Sequence, residues 1–82
     1  MISTTQELYA LVDFVIRQSR SRGSLDIAQQ LDDALHLGNS GSEILGAIKK
    51  IFVAKNVQLE NILKREKIEE VVKFVNKAYG AE

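Results

Sequence analysis

The side chains able to do chemistry are few and scattered. The chain holds one histidine, His36, and no cysteine. Acid–base or metal work by such a residue needs a partner close by. No second His stands near His36, and it lies off the apolar stripe of its helix, close to the C-terminal end. It reads as a surface residue. Asp32-Asp33 invites a metal or paired-carboxylate reading, but adjacent helical residues point about 100° apart, so the two carboxylates diverge. No acid stands three or four residues beyond either to complete a site. Ser19, Ser21, Ser24, Ser40 and Ser42 fall in helix ends and turns, where capping explains them, and no nucleophile elbow accompanies them. Gly38-Asn39-Ser40-Gly41 sits where a helix N-terminus could cradle a phosphate. It lacks the Lys-Ser/Thr pair of a P-loop and the strand before it, and Glu43 would repel an anion. The expectation is a protein with no enzymatic activity, no metal and no cofactor.

The elements that must position these residues are helical. Thr4-Thr5-Gln6-Glu7 fits a capping box. Leu8, Leu11, Val12, Val15 and Ile16 follow at helical spacing, and Gly23 can close the helix, so helix 1 is predicted over 5–21. Ser24 can cap helix 2 over 25–37, with Ile27, Ala28, Leu31, Ala34 and Leu35 on one face and Gly38 as the stop. Asn39-Ser40-Gly41 is turn chemistry, with Ser40 or Ser42 as a cap. Helix 3 follows over 42–55, with Ile44, Ile48, Ile51 and Phe52 as its stripe. Gly46 lies off that stripe, so either another helix approaches closely there or it is tolerated. Leu59, Ile62 and Leu63 form one stripe. Ile68, Val71, Val72, Val75 and Tyr79 form another. The step from 63 to 68 breaks the rhythm, so a straight helix would turn one stripe away from the core. A break is placed at Asn56-Val57, where Asn can cap, and a second near 64–66. The last helix then covers 65–79, with a short helical turn before it. Short connections favour antiparallel neighbours. The expectation is a single all-α domain over 1–82, a four-helix up-down bundle or an irregular relative.

Composition agrees. There is no proline, 45% of residues are hydrophobic and 27% charged, which suits a folded helical domain rather than long disorder. No apolar run approaches the roughly 20 residues that span a bilayer. The opening Met1-Ile2-Ser3-Thr4-Thr5 lacks the basic start and apolar centre of a signal peptide. A soluble cytosolic protein is expected, with no membrane partner. Net charge is zero but unevenly spread. Residues 1–43 carry six acids against three bases, and residues 44–82 carry eight bases against five acids. Such halves can attract each other within the fold, or steer a charged partner.

Two functional readings follow. Ala34, Gly38 and Ile44 match the A-x3-G-x5-I spacing of a helix-turn-helix DNA-binding motif. Against it, Asn39 stands where an apolar residue is usual, Asp32 and Asp33 would oppose phosphates, and Lys49, Lys50 and Lys55 are the only basic support. The other reading is a protein-binding module. Phe14, Leu37, Val53 and Phe74 fall outside the stripes, and gathered together such residues mark an interface. Leu37 shares a face with Asp26, Gln30 and Asp33, an acidic surface with an apolar centre that suits a basic partner.

A resemblance favours the second reading. Leu31-Asp32-Asp33-Ala34-Leu35 followed by Gly38-Asn39-Ser40-Gly41-Ser42-Glu43-Ile44-Leu45-Gly46 resembles a pattern in small bacterial helical proteins. In size and style the chain is similar to helical immunity proteins of contact-dependent growth inhibition and related polymorphic toxin systems. Those bind a cognate toxin, often a basic nuclease, and block its active site. The resemblance implies a non-enzymatic, stoichiometric toxin inhibitor, with a protein rather than a nucleic acid as partner. Unlike the strongly acidic examples, this chain is neutral. The expected contact surface is Asp26, Gln30, Asp33 and Leu37, with His36 and Glu43 at its edge. Homodimerisation through Phe14 or Phe74 is the further expectation.

Overall fold

Helix α1 (Thr5–Ser21) starts where two residues satisfy each other's backbone. The computed structural model describes residues 2–36 and 41–79. Here the Glu7 amide donates to Thr4 Oγ1 at 3.1 Å, and the Thr4 amide donates to Glu7 Oε1 at 3.0 Å. The capping box is therefore complete. The Ser3 amide and hydroxyl add two further bonds to the same oxygen, each 2.8 Å. At its other end α1 closes on Gly23, whose φ of +82° is the left-handed conformation that a side chain strains. The Ser24 amide reaches the Ser19 carbonyl at 2.8 Å and the Gly23 amide reaches that of Arg20 at 3.3 Å. That pair of bonds is a Schellman closure, which satisfies carbonyls the helix end would leave open.

Helix α2 (Leu25–Leu35) is shorter than the 25–37 predicted. His36 already lies outside it in a turn, while Leu37 and the expected stop at Gly38 lie outside the described residues. Ser24 occupies the capping position, but its hydroxyl makes no capping bond; its carbonyl serves α2, accepting from Ala28, while its amide closes α1. Helix α3 (Gly41–Ala54) begins one residue before the prediction and ends one before it. Ser42 is thus inside the helix and not its cap, while the capping role proposed for Ser40 falls outside the described residues.

The break at Asn56 is real, but Asn56 works backwards. Its side-chain amide donates to the Val53 carbonyl at 2.9 Å, so it caps the end of α3 and does not open the next helix. One helical turn follows, α4 (Asn56–Leu59), and then an irregular corner in which the Ile62 and Leu63 amides both return to the Leu59 carbonyl. Helix α5 (Arg65–Tyr79) starts after it. This corner answers the broken rhythm between 63 and 68. Leu59 and Leu63 are buried, and so are Ile68, Val71 and Val75, because the chain turns between the two stripes.

All described regular structure is helical, and the architecture is an irregular all-α bundle of four longer helices with one single-turn helix. Helix α1 packs on α2, α2 on α3, and α3 also carries α4 and α5. The Lys49 ammonium bonds Asn76, and Val53 lies beside Ile68 and Val72, so α3 and α5 run antiparallel. Among the described residues no helix is long and apolar enough to cross a membrane.

Burial corrects several details. Leu45 is fully buried, although the predicted stripe omitted it, and Ile44 and Ile51 are only half-buried. The cause is that α3 has neighbours on two sides, which widens and rotates its inward arc. Phe74 leans on the core and is not a free surface residue, whereas Phe14 is exposed. Ser19 is not at a cap. It is fully buried, and its hydroxyl has no hydrogen-bond partner among the described residues. An unsatisfied buried hydroxyl costs about 1–3 kcal/mol.

The same substitution should act with opposite sign at two glycines. An added Cβ at Gly46 meets nothing within 4 Å, so no helix approaches closely there. Gly46→Ala should stabilise by about 0.4–1 kcal/mol, because the helical conformation suits Ala and the unfolded chain loses freedom. Gly23→Ala should destabilise by about 1–2 kcal/mol through left-handed strain. Chemical denaturation of both variants checks the pair; an equal sign would contradict the two backbone assignments.

The cap also predicts a pH response. The Ser3 amide chiefly, then the Ser3 hydroxyl, hold the exposed Glu7 carboxyl below the usual glutamate range; desolvation opposes them, and the Thr4 groups add a lesser lowering. A lowered folded pKa means the cap's contribution is complete above the unfolded glutamate pKa. It is lost as pH falls through the folded value. Carboxyl NMR titration should show Glu7 titrating below a free glutamate, and Glu7→Gln should erase that part of the acid-side weakening of α1.

Candidate functional site

The outward side of α2 is set by what the inward side must bury. Ile27, Ala28, Leu31 and Ala34 are buried, so the opposite arc faces solvent. Asp26, Gln30 and Asp33 fall on that arc and are all exposed. With a rise of about 1.5 Å per residue they line up over roughly 10 Å of helix. Helix α2 contains no Lys or Arg to balance Asp26, Asp32 and Asp33.

These side chains are only lightly engaged. Asp26 lies 3.8 Å from the Lys55 ammonium, a loose pair with the carboxylate 65% exposed. It links the acidic first half to the basic second half. The pairs Asp13–Arg17, Glu60–Arg65 and Lys67–Glu70 each lie within one half. Asp33 accepts from the Gln29 side chain at 2.8 Å along its own helix. His36 folds back on the helix end, with Nδ1 2.8 Å from the Asp32 carbonyl and 3.8 Å from its carboxylate. A carbonyl can only accept, so Nδ1 carries the hydrogen. Glu43 stands exposed in the first turn of α3, on a different helix from the others. Leu37, the expected apolar centre, lies outside the described residues.

A different apolar residue is exposed on the neighbouring flank of α2. Leu25, the first residue of α2, is 63% exposed. At helical spacing it falls beside Gln29 and Asp32. Its position two residues before the buried Ile27 put it off the inward face, and that offset was the available clue.

A second surface lies between α3 and α5. There the helices leave a groove with two hollows of about 390 and 500 Å³, each lined in part by Val53. Its apolar floor includes Phe52, Ile68, Val72 and Val75, and Lys49 and Lys50 stand along one end. Gly46 also lines it and leaves the α3 backbone bare. Asp26, Gln30, Asp33, His36 and Glu43 do not line this groove, whereas Val53, singled out as off-stripe, does. The off-stripe Val53 and Gly46, seven residues apart on one flank of α3, were the signs of it.

Neither surface assembles a reactive group. Among the described residues no three His, Asp or Glu side chains gather in metal-binding range. The arrangement can present charge and apolar area to another macromolecule. No family model, curated protein or solved structure matches the chain.

If the α2 carboxylates serve contact rather than folding, removing them should cost little stability. Asp26→Asn and Asp33→Asn should each shift unfolding free energy by less than about 0.5 kcal/mol, the scale of exposed pairs. A loss above that in thermal or denaturant unfolding would make these residues structural.

Proposed function

We propose that the chain is a non-enzymatic protein-binding module that grips a basic protein through the outward face of α2. Within that class we propose an immunity protein, which binds and neutralises a cognate bacterial toxin. The observation that carries the reading is the exposed row Asp26, Gln30 and Asp33 on a helix without a basic residue. Asp26 has only the loose pair with Lys55 and Asp33 only the bond from Gln29, so both carboxylates keep most of their charge open to a cationic surface. Leu25 supplies an exposed apolar contact on the neighbouring flank of the helix, beside Gln29 and Asp32. Long-range attraction would speed encounter, and desolvated contacts would slow release.

The helix-turn-helix reading has one supporting feature: Ala34 is buried and Ile44 packs against the core, as that motif requires. Its first helix would then bring three carboxylates towards phosphates, at an electrostatic cost.

The test begins with affinity capture of partners from the native host's lysate. A basic protein should be retained, and Asp26→Lys with Asp33→Lys should weaken its binding at least about tenfold while the fold persists. Unchanged binding would remove the α2 face from consideration. Salt-sensitive retention of the chain on immobilised DNA would favour the helix-turn-helix reading instead.

A further inference from the structure

We infer that the α3–α5 groove is a second docking site, and that its occupant is a partner helix bearing an apolar stripe flanked by carboxylates. The groove has the form that takes a helix: a long apolar floor between two antiparallel helices. Val53, Val72 and Val75 lie along it, and Val53 is 52% exposed despite its size and position. Gly46 leaves the wall open where a partner backbone can come close.

Charge selects the occupant. Lys49 and Lys50 stand at the half of the groove lined by Gly46 and Val75, where no carboxylate lines it; Glu60, Glu69, Arg65 and Lys73 line the other half, with Arg65 paired to Glu60, so bases outnumber acids along the whole groove. Lys49 is held in place by its bond to the Asn76 side chain, a neutral acceptor that leaves its charge uncompensated. Among the described residues neither lysine has an ion-pair partner. A lipid surface calls for a convex apolar ridge, and this surface is concave. Carboxylates on a helix answer both the shape and the charge.

This site is separate from the α2 face, so either proposal can fail without the other. The test is an NMR titration of the isotope-labelled chain with an amphipathic peptide of about four helical turns, Leu at i, i+4 and i+7 with flanking Glu. The control peptide replaces each Glu by Lys. The acidic peptide should bind in the micromolar range and shift the amides of Gly46, Lys50, Val53 and Val72. The basic control should bind at least about tenfold more weakly, as should the acidic peptide to the Lys49→Glu, Lys50→Glu double variant. Lys50→Glu alone keeps the Lys49–Asn76 bond. It should unfold like the parent yet bind less well, which separates a charge effect from a folding defect. Equal binding of both peptides, no binding, or shifts confined to α2 would overturn the proposal. So would concentration-dependent dimerisation through these same residues, or binding of phosphatidylserine vesicles without binding of the peptide.

Discussion

Everything in this molecule depends on α3 being buried from two sides. Leu45, Ile48 and Phe52 are sealed from solvent, with Phe52 at the end where α4 and α5 meet it. A chain of 82 residues with no cysteine has no disulfide to fall back on, and a domain this small buries only about 60–65% of its unfolded surface. The packing of α2 and α5 against α3 must therefore supply much of the stability. It also sets direction. Because α2 packs inward on α3 and α1, its carboxylates face out. Because α5 packs beside α3, their open flanks form the groove.

The two surfaces have opposite character, and the net charge of zero hides this. Acidic side chains gather on the back of one helix, while along the groove between two others Lys49, Lys50, Arg65 and Lys73 outnumber Glu60 and Glu69. Asp26 with Lys55, a pair that crosses between the halves, is loose and exposed, and exposed pairs contribute little. Segregated charge of this kind serves better as a means of choosing partners than as a brace for the fold.

Local rules carried most of the fold. The capping box at Thr4 and Glu7 and the closure at Gly23 involve residues within a few positions of each other, so spacing alone reveals them. The corner between 60 and 64 was legible because two apolar stripes were out of phase. What escaped was tertiary. Leu45 is buried because α3 has neighbours on both flanks, which no single-helix pattern shows. Ser19 looked like a helix-end hydroxyl, yet the inward turn of α1 carries it into the core. Asn56 was rightly placed at a break, but whether its amide serves the helix behind or ahead depends on backbone direction. On the site, the α2 row of Asp26, Gln30 and Asp33 followed from helical periodicity. The groove needed two helices distant in sequence and could be sensed only through the odd placement of Gly46 and Val53.

The central claim is that α3 is the shared support of both surfaces, and native-state hydrogen exchange tests it most directly. The amides of Ile48 to Phe52 should be among the slowest in the molecule, exchanging only when the whole chain unfolds. If they exchange through a local opening while α1 and α2 remain protected, α3 is a peripheral helix and the account is contradicted.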